Sequence, residues 1–150
     1  MFYEVVVAPG YEPDALETLR KRRNLRILAV SATDDRQTDL RLISGGALVQ
    51  TPDDIEEDSA TWKVVTERKP TASELKDLGF AWRAVKHAKS NAIVLVKDSA
   101  VVGLGAGQPN RVNSVHLALR IAGERSRDSV LASDAFFPFR DSVDEAAKNG

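Results

Sequence analysis

The chain has 150 residues, about the length of one domain, and 43% of them are apolar, which is enough to bury a core. A net charge of -1 excludes a concentrated basic surface, so neither nucleic acid nor an anionic membrane is an expected partner. The chain has no cysteine and two histidines, which excludes disulfides and thiolate chemistry and argues against a zinc site.

The first thirty residues predict a strand, a helix and a second strand. Residues 3–8 contain the continuous apolar run EVVVA, which is typical of a strand covered on both faces. Pro13 is suited to a first helical turn, and Leu16 and Leu19 supply the buried stripe of that helix. The run LRILAV follows, and two strands around one helix should be parallel. Residues 31–39 are polar and predict a loop.

The next segment predicts a boundary between two parts of the chain. LRLISGGALVQ has the composition of a strand that is interrupted at Gly45 and Gly46. It is followed by the acidic connector PDDIEEDSA, which is typical of solvated surface. We therefore divide the chain into a first lobe, residues 1–58, and a second lobe, residues 59–150.

The second lobe predicts alternating helices and strands. A helix begins near Thr71 or Ser73, AIVLVKDSAVVGLG forms a hairpin that turns at Asp98 and Ser99, and Ser142 begins a capping box. The expected buried positions of the two longer helices are Leu75, Leu78, Trp82, Val85, Val112, Val115, Ala118, Leu119 and Ala122. VLAS is a short strand, and the fold class is α/β. Without a membrane span or a signal peptide, we expect a cytoplasmic protein, and we expect it to be a piece of a longer polypeptide.

The stretch GLGAGQPNR places three glycines within five residues, between a strand and a helix. It lacks the Gly-Lys-Ser/Thr of a phosphate-binding P-loop, and its glycine spacing differs from the dinucleotide fingerprint. Two interpretations are left open. Gly105, Gly107 and Gln108 form a loop that lets a polar or anionic ligand approach the backbone beside Arg111, or they form a tight turn without a ligand.

Several segments of the chain closely resemble one enzyme family. They are KSNAIVLVKD, GLGAGQPNRVNSV and SDAFFPFRDSVD, preceded by VVVAPGYEPDALETLRKRRNLRIL, RLISGGALVQTPDD and WKVVTERKPTASEL. In this order they are similar to the transformylase part of the AICAR transformylase/IMP cyclohydrolase family, over essentially the whole chain. The resemblance implies cytidine-deaminase-like lobes, present here as a fragment, and transfer of a formyl group from 10-formyltetrahydrofolate to AICAR. It also implies a homodimer, no metal, and a cyclohydrolase domain that these residues do not contain.

The resemblance also implies roles for individual residues. Asn91 matches an asparagine that contacts AICAR at the reacting centre, and Arg111 matches a substrate-binding arginine. Val112, Phe136 and Asp141 match positions on the folate side. Pro109 and Asn110 stand where many relatives have Met-Ser, and Asn113 stands at a frequent aspartate.

The pair Lys86-His87 does not match the catalytic Lys-His of the family, which belongs to a KH-x-NP-x-G motif. We interpret this pair, which the pattern places in mid-helix, and His116 as structural or surface residues. No catalytic residue is therefore expected in this chain, and no turnover is expected from it alone. The alternative hypothesis is a small-molecule-binding or interaction module that has the same fold without the chemistry.

Overall fold

The computed structural model describes residues 3–31, 38–55 and 57–149. The chain forms two compact units, Met1–Glu56 and Glu57–Gly150. The division lies close to the predicted boundary after residue 58, while the assignment of the units to lobes of a larger domain stays a prediction. Most of the predicted loop 31–39 lies outside the described residues.

In the first unit, β1 (Val5–Ala8) and β2 (Arg26–Ala29) pair in parallel around α1 (Pro13–Arg20), as the sequence predicts. Pro13 occupies the first helical turn, where its missing N–H costs nothing. The hydroxyl of Tyr11 donates to the carbonyl oxygens of Val6, at 3.1 Å, and Leu28, at 2.8 Å, and so ties the two strands to the loop before α1.

Two predictions for this unit are wrong. Val5 and Val7 are exposed, so β1 has one half-buried face rather than two covered faces within the described residues. LRLISGGALVQ is not one interrupted strand: it is a hairpin of β3 (Asp39–Ile43) and β4 (Gly46–Gln50). Gly45 has a φ of +80°, which a glycine adopts without strain, and this allows the chain to reverse direction within two residues.

The second unit has a three-stranded antiparallel sheet in the order β6-β5-β7. Its elements are α2 (Ala72–Lys86), β5 (Ile93–Lys97), β6 (Ala100–Gly105), α3 (Arg111–Ala122), β7 (Val130–Ser133) and α4 (Asp141–Ala147), with short 3-10 helices at Ser59–Thr61 and Gly123–Ser126. The predicted hairpin turn is confirmed, since Asp98 and Ser99 both have positive φ, as a type I′ turn requires.

The central strand β5 is buried on both faces. Val94 and Val96 pack against the α2 side of the sheet, and Ile93 and Leu95 pack against the α3 side. This explains the uninterrupted apolar sequence of β5 even though the sheet is antiparallel. Because side chains alternate along a strand, one strand supplies both halves of the core.

The start of α2 is predicted well, and its buried face is predicted only in part. Thr71 is the N-cap, and it forms a capping box with Glu74. The buried apolar positions are Ala81 and Val85, whereas Trp82 keeps 39% of its surface exposed. Val85 of the predicted stripe is thus confirmed, whereas Leu75 and Trp82 are wrong, and Ala81 is buried in their place.

The predictions for α3 and α4 are also confirmed only in part. In α3, Val115, Ala118 and Ala122 are buried as predicted, while Val112 and Leu119 are half-buried. The capping box predicted at Ser142 does not form: α4 begins one residue earlier, at Asp141. Ser142 is inside the first turn, where its backbone N–H donates to Asp141 Oδ1 at 2.7 Å.

Candidate functional site

The candidate site lies at one edge of the sheet in the second unit. Gly105 at the end of β6 and Ser133 at the end of β7 are both paired with Ile93 at the start of β5. The antiparallel order therefore brings Asn91, the loop after β6 and the loop after β7 to the same edge. Three segments that are distant in sequence meet there.

The two glycines of β6, Gly103 and Gly105, are required by the packing of α3 against this strand. A Cβ atom at Gly105 would lie 1.9 Å from the backbone oxygen of Ser114, and one at Gly103 would lie 2.3 Å from that of Ala118. No side chain can be accommodated at such distances, so both positions are glycine because the α3 backbone lies against β6. Gly107 has a φ of +67°, and its N–H donates to the carbonyl of Lys89 at 2.7 Å. The approach of a ligand to this loop stays a prediction.

Arg111, at the first position of α3, is buried beneath this edge with 7% of its side chain exposed. Its Nη1 forms a salt bridge with Asp134 Oδ1 and donates to Ser133 Oγ at 2.7 Å. Its Nη2 donates to Asn91 Oδ1 at 2.9 Å. The guanidinium group of α3 therefore links Asn91, just before β5, to Ser133 and Asp134 at the end of β7.

Asp134 is held by donors from three directions. Its carboxylate accepts from Arg111, from Ser90 Oγ and from the backbone N–H of Ala92, at 2.7 Å for the last. Burial acts to raise the pKa of Asp134, but the hydrogen bonds from Ser90, Arg111 and Ala92 and the charge of Arg111 outweigh it and lower the pKa. Asp134 therefore remains a carboxylate, the correct counter-ion for a buried guanidinium.

The side-chain amide of Asn91 is fixed from both ends. Oδ1 accepts from Arg111, and Nδ2 donates to the backbone oxygen of Gln108 at 2.9 Å. Ser114 Oγ donates to the backbone oxygen of Asn91 at 2.8 Å. An amide held in this way still has one lone pair and one N–H for a ligand, and it does not titrate.

A cavity of about 520 Å³ opens beside this network. It is lined by all five residues assigned by resemblance to substrate or folate: Asn91, Arg111, Val112, Phe136 and Asp141. Phe136 is 79% exposed, so its ring is free to contact a flat ligand. Gly105, Gly107 and Gln108 are not among the lining residues; that loop contributes Pro109 and Asn110.

Sequence reasoning missed Ser90, Ser133 and Asp134, which complete the network around Arg111. One of the three, Ser90, stands directly beside Asn91, which it did single out. The sequence holds no local signal for Asp134, because its partners Ser90, Ala92 and Arg111 lie far from it in the chain.

The histidines lie away from this cavity. Lys86 is the last residue of α2 and His87 is its exposed C-cap, so the pair ends the helix rather than standing in its middle. His116 is half-exposed on α3, with Nε2 at 3.7 Å from Glu145 Oε1.

Over residues 3–31, 38–55 and 57–149, no cluster of three or more His, Cys, Asp or Glu could hold a metal ion. Over the same ranges, no helix has the length and hydropathy to cross a bilayer.

The fold and cavity define the second unit as an α/β structure with a ligand-sized pocket at one end of the sheet, where apolar side chains and a few polar groups lie together. Residues 1–121 match the family described as AICARFT/IMPCHase bienzyme. The chain is 52% identical to the bifunctional purine biosynthesis protein purH of Dictyostelium discoideum over 97% of its length. It is 51% identical to PurH of Thermoanaerobacter sp. over 100% of the chain, and 53% identical to PurH of Nostoc punctiforme over 99% of the chain.

The chain therefore belongs to the AICARFT/IMPCHase family of purine biosynthesis. It spans 29–30% of the length of these curated relatives. The chain thus matches less than a third of each relative, and the names of these relatives describe bifunctional proteins.

Proposed function

We propose that this chain forms part of the formyltransferase site that converts AICAR with 10-formyltetrahydrofolate in purine biosynthesis. Asn91 and Arg111 bind and orient AICAR, and Val112, Phe136 and Asp141 contact the folate. The observation that supports the proposal most strongly is that all five residues, from three separate segments, line one cavity. Neither their spacing in the sequence nor their burial requires this convergence.

The reaction needs alignment above all. The 5-amino group of AICAR attacks the formyl carbon, the bond from that carbon to N10 of the folate breaks, and a proton moves from the attacking nitrogen to N10. Since a weak nucleophile reacts only when it is well positioned, a rigid amide such as Asn91 favours the reaction without exchanging a proton itself. The proton acceptor that the resemblance implies is the histidine of a KH-x-NP-x-G motif, which these 150 residues do not contain.

The remaining features of the proposal come from the family. They are cytidine-deaminase-like lobes, a homodimer with sites at the subunit interface, and a location in the cytoplasm. The ring of Phe136 and the carboxylate of Asp141 suit a pterin, which offers a flat face and N–H donors.

A segment exchange tests this function directly. The matching segment of the Thermoanaerobacter protein, which is 51% identical over the whole chain, is replaced by these 150 residues, and formyl transfer to AICAR is measured. We expect activity in the chimera and a loss of about 100-fold or more on Arg111→Ala, since this removes charge-assisted hydrogen bonds worth about 1.5–3 kcal/mol each.

The matched control is Arg120→Ala, which removes an exposed arginine from the same helix outside the cavity, and it should leave the activity unchanged. A folded chimera without formyl transfer would overturn the proposal. Activity that survives Arg111→Ala would also do so. In the first case the non-catalytic binding module becomes the better description, and in the second case the role of Arg111 in the site is refuted.

A further inference from the structure

The residue that controls Arg111 is Asp134, to which the family resemblance assigns no role. Its side chain is 14% exposed, and one carboxylate receives a guanidinium, a hydroxyl and a backbone N–H. These donors come from α3 and from the residues that lead into β5. Asp134 therefore connects two parts of the cavity wall without lining the cavity.

Arg111 depends on this partner for its location. A guanidinium group that is 7% exposed is costly to bury without a compensating negative charge. Apart from Asp134, the acceptors of Arg111 among the described residues are neutral: Asn91 Oδ1, Ser133 Oγ and, at 3.5 Å, the backbone oxygen of Ala92. Without the carboxylate, the favourable response of Arg111 is to turn towards solvent, and the adjoining open volume is the cavity itself.

The orientation of Asn91 depends on Arg111 in turn. Nη2 of Arg111 is a donor to Asn91 Oδ1 and so determines which end of the amide faces the cavity. A chain of contacts thus runs from Asp134 through Arg111 to Asn91. Ser90, whose hydroxyl donates to Asp134 Oδ2, holds the carboxylate at the far end of this chain.

We propose that Asp134 is a positioning residue of this pocket, which holds the Arg111 guanidinium, and through it the Asn91 amide, in the orientation that receives the substrate. The role in substrate binding rests on the proposed function, whereas the effect of Asp134 on Arg111 does not.

The test therefore has two readouts on the 150-residue chain, both with Asp134→Asn. The first is the NMR signal of the Arg111 Nε–H group, which is buried and has no hydrogen-bond partner among the described residues. In the wild type we expect slow exchange with solvent and a rigid side chain. In Asp134→Asn we expect a mobile guanidinium and fast exchange. The second readout is calorimetric titration with AICAR, where we expect affinity to fall about 10- to 100-fold, as for loss of one charge-assisted hydrogen bond.

Two further variants separate positioning from general damage. Asp144→Asn removes a carboxylate that pairs with Arg140 at the surface, outside the cavity, and should change neither readout. Asp134→Glu keeps the charge and should restore part of the rigidity of Arg111. If Asp134→Asn does not fold, the comparison of Asp134→Glu with the wild type still decides the question.

Each outcome is informative. A rigid Arg111 in Asp134→Asn, with slow Nε–H exchange, overturns the proposal. So does AICAR affinity equal to that of the wild type. If the wild type does not bind AICAR, the 150 residues alone do not form a complete binding site, and the Arg111 signal by itself supports or overturns the positioning role.

Discussion

The close contact between β6 and α3 makes a strong prediction for Gly105→Ala. The added Cβ atom would lie 1.9 Å from the Ser114 backbone oxygen and 2.7 Å from its carbonyl carbon, whereas real Cβ contacts essentially never fall below 3.0 Å. The helix would have to move by about 1 Å, and its backbone cannot turn aside as a flexible side chain could. Val115 and Ala118, both 0% exposed, would move with it.

The cost is at the upper end of the range for overpacking, about 3 kcal/mol. For a unit of 60–100 residues, about 4–8 °C is lost per kcal/mol, so the melting temperature should fall by about 12–24 °C. The site would be affected too, because Ser114 and Arg111 on α3 both hold Asn91. AICAR affinity in Gly105→Ala should therefore fall even under conditions where the chain remains folded.

Gly79→Ala is the matched control. Gly79 lies inside α2 with nothing within 4 Å of the added Cβ, so alanine should stabilise the helix by up to about 1 kcal/mol. Thermal unfolding followed by circular dichroism measures both variants, and the two changes should have opposite sign. A Gly105→Ala protein that melts within about 4 °C of the wild type would refute the packing argument.

Two further predictions concern the start of α2 and its contact with the hairpin. Asp77→Ala removes the buried carboxylate that accepts from the backbone N–H groups of Asp98 and Ser99, at 2.9 and 2.8 Å, and should cost about 2 kcal/mol in urea unfolding. Asp77→Asn, which keeps one acceptor, should cost less, and equal losses would contradict this account. Glu74 has its pKa lowered to about 2, first by the hydrogen bond from Arg68 and then by those from Thr71. The folded-state pKa lies below the ordinary glutamate pKa of 4.5, so this contribution to stability is present above pH 4.5 and is lost as the pH falls towards 2. Between pH 4.5 and 2, the free energy of unfolding of Glu74→Gln should change less with pH than that of the wild type. Parallel pH dependences of the two proteins would contradict the stabilising role of the Glu74 carboxylate.

The positions of most elements could be predicted from local sequence. Thr71 and Glu74 at capping-box spacing locate the start of α2, and Asp98-Ser99 between two apolar runs locates the hairpin turn. These features depend on backbone hydrogen bonding within a few residues, so a short window contains the necessary information. The residues assigned by resemblance to the pocket follow from motif order, and their convergence on one cavity agrees with it.

What the sequence could not determine depends on contacts between distant segments. The pattern of α2 places Leu75 and Trp82 beside Val85 on the buried face. Packing against the sheet instead buries Ala81 with Val85 and leaves Leu75 and Trp82 exposed. Similarly, the pattern Gly-x-Gly shows that something lies close to the backbone. Only the tertiary structure reveals that it is α3, through Ser114 and Ala118. Asp134 belongs with these, since its partners Ser90 and Ala92 lie more than forty positions earlier in the chain. The sequence alone determined the start of α2, the Asp98-Ser99 turn and the family, because these depend on local motifs. Close packing between distant segments determined which helix face is buried, why the glycines are needed and what holds Arg111 in place.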